Sequence, residues 1–77
     1  MNKLFTDNGW ADYVYWQTEV RKTFKKINDL LKGIERSGNT GNFAGYWSCR
    51  INNKDRLIYW LDAGNIYILA CRYHYMK

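Results

Sequence analysis

Three runs rich in aromatic and branched residues dominate the second half of the chain: Tyr46-Trp47-Ser48-Cys49-Arg50-Ile51, Arg56-Leu57-Ile58-Tyr59-Trp60-Leu61 and Ile66-Tyr67-Ile68-Leu69-Ala70-Cys71. Such residues suit a pleated, half-buried surface, and the Asn/Asp/Gly clusters between the runs are turn formers. The expectation is an antiparallel three-stranded meander, closing on Cys71-Arg72-Tyr73-His74-Tyr75 with the only histidine of the chain.

Turn length sets which side chains share a face, because residues opposite each other across an antiparallel pair lie on one side of the sheet. Asp62-Ala63-Gly64 reads as a three-residue hairpin loop with Gly64 in the left-handed position, which sets Leu61 opposite Asn65 and Trp60 opposite Ile66. If Asn53-Lys54-Asp55 is also a three-residue loop, Asn52 faces Arg56, and Arg50, Arg56, Arg72 and His74 all project to one side. A two-residue loop would send Arg50 to the opposite face. Cys49 and Cys71 alternate onto the odd-numbered face and read as buried free thiols.

Ahead of the meander, Asn2 to Phe5 is short and half apolar, an edge strand joining the sheet. A first helix follows, capped by Thr6 or Asp7, with Trp10, Tyr13, Val14 and Gln17 on one stripe. Tyr15 and Trp16 lie off that stripe and should contact other parts of the domain or a partner. Thr18-Glu19 offers a second N-cap, and Val20, Phe24, Ile27, Leu31 and Ile34 recur at spacings of three and four along a second, longer helix. Arg21, Lys22, Lys25, Lys26 and Lys32 fall largely off this stripe; charge alone fits a solvated face as well as a phosphate-contacting one. The helix ends between Gly33 and Gly38, and a polar loop leads into the meander. A short strand, two helices and a meander make an α+β fold, with both helices packed on the sheet.

At 77 residues the chain reads as one domain with a thin core, for which four Trp, seven Tyr and three Phe compensate. Twelve Lys and Arg against seven Asp and Glu leave a net charge of +5, which favours a polyanionic partner such as nucleic acid. Two cysteines are too few for a disulfide framework, and no spacing with His74 or the carboxylates resembles a zinc site. The N-terminus lacks the apolar run of a signal peptide and no segment is long enough to span a membrane, so the expected location is the cytoplasm.

Several stretches together carry a resemblance: Trp10-Ala11-Asp12-Tyr13-Val14-Tyr15-Trp16-Gln17, Lys25-Lys26-Ile27-Asn28-Asp29-Leu30, Gly45-Tyr46-Trp47-Ser48-Cys49-Arg50-Ile51, Asp55-Arg56-Leu57-Ile58-Tyr59 and Ala70-Cys71-Arg72-Tyr73-His74-Tyr75. With these the chain resembles the YoeB toxins of the RelE superfamily over nearly its whole length. The resemblance implies a small RelE-like domain and a toxin that cuts messenger RNA in the A site of the 70S ribosome. It also implies a YefM-like antitoxin as partner, a possible homodimer, and no cofactor or metal.

Cleavage would proceed by attack of a 2′-hydroxyl on the adjacent phosphorus, which needs a base, positive charge for the phosphorane and an acid for the leaving 5′-oxygen. Carried over from the family, His74 is the general acid, Arg56 the transition-state clamp, Tyr75 a substrate-positioning residue and Arg50 a phosphate ligand. Arg72, Lys25 and Lys26 are further candidates for RNA contact. On residue type alone, a lone histidine near a C-terminus is more often an ordinary surface or packing residue. Histidine nevertheless titrates near neutral pH, and arginine presents a permanently charged fork of donors, as these roles require.

The chain departs from the family between Gly41 and Asn42. There the YoeB toxins carry a basic segment with a Lys-Pro-Glu-Pro-Leu-Lys core that supplies a glutamate base and a lysine near the phosphate. Nothing here corresponds to it, and the chain has no proline at all. Glu35 is the carboxylate nearest the gap in sequence, and Cys49 stands where the family often has arginine. The alternative to an active ribonuclease is therefore a toxin fold that engages antitoxin, ribosome or RNA without cutting.

Overall fold

The computed structural model describes residues 2–37, 45–62 and 64–72. In chain order these form β1 (Asn2–Phe5), α1 (Asp7–Glu19), α2 (Arg21–Ser37), β2 (Gly45–Arg50), β3 (Arg56–Asp62) and β4 (Asn65–Ala70). The sheet order is β1-β4-β3-β2. The expected meander β2-β3-β4 is antiparallel, and β1 adds to its edge in parallel with β4, pairing Phe5 with Ile68. Ile27, Leu31 and Ile34 of α2 meet Leu57, Tyr59, Leu61, Ile66 and Ile68 of the sheet in one buried cluster, so the helices cover a single face.

The β3–β4 turn differs from expectation. Asp62 pairs with Asn65, Leu61 with Ile66 and Trp60 with Tyr67, so two residues close the turn, with Gly64 at φ +77°. Ile66 and Ile68 decide this register. They bury completely, and only the two-residue turn sets them on the side of Leu61 and Tyr59. A β-bulge between Ile58 and Tyr59 then shifts the register once more, pairing Ile58 with Ala70. The two one-residue shifts add to two and so restore the expected facing, and Cys71 reaches the buried cluster as its parity predicts.

Backbone groups around the bulge are satisfied from the start of α1. Thr6 donates its backbone N–H to the Ile68 carbonyl at 3.1 Å, and its hydroxyl lies 3.2 Å from the Leu69 carbonyl. Asn8 donates its side-chain amide to the same Leu69 carbonyl at 3.2 Å. Thr6 is also the N-cap of α1, its Oγ accepting from the Gly9 N–H at 3.0 Å.

The buried stripe of α1 is displaced from the expected one. Gly9, Asp12 and Trp16 are buried, whereas Trp10 is 53% exposed, its ring set edge to face with Phe5 and tilted against Tyr13. Contacts with β4 turn the helix this way. A Cβ at Gly9 would run into the Ile68 carbonyl oxygen, the Asp12 carboxylate accepts the Cys71 N–H at 3.0 Å, and the Trp16 indole donates to the Cys71 carbonyl at 2.7 Å. Hydrophobic spacing does not register such bonds. Tyr15, expected off the stripe, is half-buried and packs edge-on against Trp16.

The second N-cap is also corrected. Thr18 stays inside α1, bonding back to the Val14 and Tyr15 carbonyls, and Val20 sits between the helices in extended conformation and 40% exposed. The rest of the α2 stripe is as expected: Ile27, Leu31 and Ile34 are buried, with Phe24 packed against them.

Candidate nucleic-acid interface

The face of the sheet turned away from the helices carries Tyr46, Ser48 and Arg50 of β2 beside Arg56, Ile58 and Trp60 of β3, because alternate residues of paired strands share a side. Arg50 pairs directly with Arg56. The connection spans Ile51 to Asp55, two residues longer than expected, and an odd loop length keeps both arginines on the same side. Asn52 shapes that connection: its side-chain oxygen accepts the N–H groups of Lys54 and Asp55 at 2.8 and 2.9 Å. Buried Ile51 and Asp55 anchor it at either end, with the Ile51 N–H donating to the Asp55 carbonyl at 3.0 Å.

Two like charges directly across a strand pair destabilise it, so this arrangement costs stability until an anion sits between them. Arg56 is oriented by Ser48, whose Oγ accepts its Nε–H at 2.6 Å, leaving the terminal guanidinium nitrogens for a ligand. Neither arginine belongs to the ion pairs seen among the described residues, Lys3–Glu35 and Lys25–Asp29. Ser48 went unrecognised at the level of sequence, although its place two residues before Arg50 on an alternating strand put it on this face.

The other candidates are not gathered here. The Arg72 guanidinium lies over the Tyr15 ring, 3.5 Å from its centroid, a cation–π contact with α1. Lys25 pairs with Asp29 at 3.1 Å on exposed α2, and neighbouring Lys26 is exposed on the same helix, across the sheet from the arginine pair. Glu35 bonds Lys3 at 3.0 Å and so stands by β1, at the opposite edge of the sheet from β2. His74 and Tyr75 lie outside the described residues.

Both thiols reach the helix side of the sheet, Cys71 buried as expected and Cys49, nearer the sheet edge on β2, only half-buried. Cys49 lies 3.7 Å from the Tyr59 hydroxyl, whose pKa is raised by burial and then by that hydrogen bond. Burial pushes the Cys71 thiol up to about 12, with Asp12 and Asp55 adding to the shift. The Cys71 thiol is therefore not poised as a nucleophile. Among the described residues, no group of three His, Cys, Asp or Glu could hold a metal ion, and no helix is long and apolar enough to cross a membrane.

A family model for the YoeB-like toxin of bacterial type II toxin-antitoxin systems matches residues 5–75. The chain belongs to the YoeB toxins. The Escherichia coli (strain K12) toxin YoeB is 37% identical over 84 residues, covering 97% of this chain and 100% of that one. An 84-residue alignment exceeds this chain's 77 residues, so that relative carries residues without a counterpart here, the relation a missing segment produces. Among solved structures, the YoeB dimer from Staphylococcus aureus matches at 40% identity and TM-score 0.85, covering 97% of this chain and 98% of that one. The YoeB-YefM complex from the same organism matches at 39% identity and TM-score 0.83, with the same coverage. The chain is thus a YoeB toxin of a type II toxin-antitoxin system.

Proposed function

We propose that this YoeB toxin is an endoribonuclease that enters the ribosomal A site and cuts messenger RNA. The observation that carries the reading is the Arg50–Arg56 cross-strand pair on the open face, with Arg56 aimed by Ser48. The 2′-hydroxyl gives its proton to solvent water as its oxygen bonds to phosphorus, the bond to the 5′-oxygen breaks, and the leaving oxygen takes a proton from His74. Arg56 holds the non-bridging oxygens as charge builds on them, Arg50 binds the phosphate, and Tyr75 positions the nucleotide. The whole chain acts as one toxin domain in the cytoplasm. A YefM-like antitoxin holds it inactive, as the S. aureus complex supports, and pairing with a second copy follows from the S. aureus dimer.

One observation favours a second reading. The family's glutamate-bearing segment is absent, and Glu35 is tied to Lys3 at the far edge of the sheet. Losing a general base costs a factor of about 10²–10⁴, which would leave a protein that binds and scarcely cuts. Purified protein added to ribosomes stalled with a defined A-site codon separates the two, with primer extension reading the cut. A product at that codon, abolished in His74→Ala, supports the ribonuclease. Ribosome binding without product assigns the binding role, and neither binding nor product overturns both.

A further inference from the structure

The face that carries the arginine pair also carries a row of rings. Tyr46, Trp60 and Tyr67 are successive cross-strand partners on β2, β3 and β4, and they line a cavity of ≈ 330 Å³ with Leu69, Thr6 and Asp62. Tyr46 is 71% exposed and meets Trp60 edge to face at 4.5 Å, an arrangement that leaves one of the two ring faces open. We propose that this cavity is a nucleobase subsite, taking the base of a nucleotide a short distance along the strand whose phosphate Arg50 and Arg56 hold. The inference rests on the RNA-cleaving or RNA-binding reading above.

Three features select a base over other occupants. Tyr46 and Trp60 stand four residues along their strands from Arg50 and Arg56, about 13 Å at about 3.3 Å per residue, a distance a short single-stranded segment covers. Rings beside a cationic track are the combination by which proteins hold single strands, the rings stacking on bases while the cations follow the backbone. Asp62 at the rim repels phosphate but accepts from an exocyclic amino group, so the cavity suits an amino-bearing base and not the backbone. The cavity lies at the lower end of the roughly 300–1,000 Å³ range of small-ligand sites.

The test uses the full-length protein and 5′-fluorescein-labelled RNA octanucleotides read by anisotropy at several salt concentrations. A single abasic position is moved along the octanucleotide. The expected result is one position at which base removal weakens binding about 5- to 100-fold, with the slope of affinity against salt unchanged. That loss should vanish in Tyr46→Leu and Trp60→Leu, whereas Arg50→Ala should lower the salt slope by about one. Because the abasic series acts on the unaltered protein, the test survives if Trp60→Leu fails to fold. Equal binding of every abasic probe, still salt-dependent and still weakened by Arg50→Ala, would overturn the base subsite and leave the RNA reading standing. No salt-dependent binding of any probe, alone or on ribosomes, would overturn the RNA reading itself. Full RNA affinity in Tyr46→Leu alongside lost affinity for a YefM-type antitoxin would reassign the cavity to a peptide side chain, which also refutes the proposal.

Discussion

The two faces of this sheet are built on opposite terms. On the helix side, every buried polar group found among the described residues has a partner: the Asp12 carboxylate and the Trp16 indole both close on the backbone of Cys71, and Thr6 and Asn8 take up carbonyls at the bulge. On the open side, two arginines face each other with no ion pair to a carboxylate found among the described residues, and three aromatic rings stand half-buried or exposed. The first arrangement is complete within the chain. The second has no such ion-pair partners among the described residues, and that difference separates the residues that hold the fold from those proposed to meet a ligand.

The contrast breaks most visibly at Trp16. Trp16→Ala removes a buried ring and orphans the Cys71 carbonyl, with an expected loss of about 3–5 kcal/mol in urea unfolding. That is a large part of the roughly 5–15 kcal/mol available to a small domain, so binding and toxicity should fall with it. Arg56→Ala is the counterpart on the open face. Cleavage should drop about 10²- to 10³-fold while the unfolding midpoint stays level or rises, because a like-charge pair is relieved. A variant that melts early would show Arg56 to be structural.

Smaller effects sharpen the same line. Asp12→Ala leaves the buried Cys71 N–H unpaired at an expected cost of about 1–3 kcal/mol, and Asp12→Asn, which keeps an acceptor, should recover part of it. At high pH the Cys71 thiol becomes a probe of its own burial, raised from an ordinary 9.0 to about 12. Its contribution is present in full below pH 9, where both states keep the proton. It is lost as pH rises towards 12, because the unfolded chain ionises first. Relative to Cys71→Ala, whose cavity cost does not depend on pH, the wild type should lose about 1 kcal/mol more by pH 10. Equal slopes would place the thiol in contact with water. The smallest change is expected for Lys25→Ala, within about 0.5 kcal/mol in stability, since its pair with Asp29 is exposed on one helix turn. It should leave RNA affinity on the open face nearly intact, and a large loss would move the interface to α2.

The arginine pair was legible in the sequence, whereas the other candidates were not gathered beside it. Arg50 and Arg56 could be put on one face because loops of three or five residues give the same parity, so the miscount of the β2–β3 connection did no harm. Ser48 and the row Tyr46–Trp60–Tyr67 were not recognised. Their alignment depends on the β3–β4 turn, which Asp62-Ala63-Gly64 suggests is three residues long and which closes with two. The position of Arg72 was no more accessible, since its partner Tyr15 is distant in sequence and is met through a side-chain contact instead of a strand register.

What sequence determined by itself is what depends on neighbours along the chain. The three strands, the α2 stripe of Phe24, Ile27, Leu31 and Ile34 and a helix start at Thr6 or Asp7 follow from spacing and residue type, and the family follows from the resemblance of whole segments. Tertiary structure decided everything that turns on a single residue of register. The two-residue turn before Asn65 and the bulge between Ile58 and Tyr59 each rotate β4 by one face, and only burial of Ile66, Ile68 and Cys71 against the helices selects that pair of shifts. The face that α1 presents was likewise chosen by backbone approach at Gly9 and by the bonds of Asp12 and Trp16 to Cys71, about sixty residues away. Hydrophobic periodicity weighs side chains one at a time, whereas these choices are made by hydrogen bonds between distant backbone segments, which exist only once the sheet has formed.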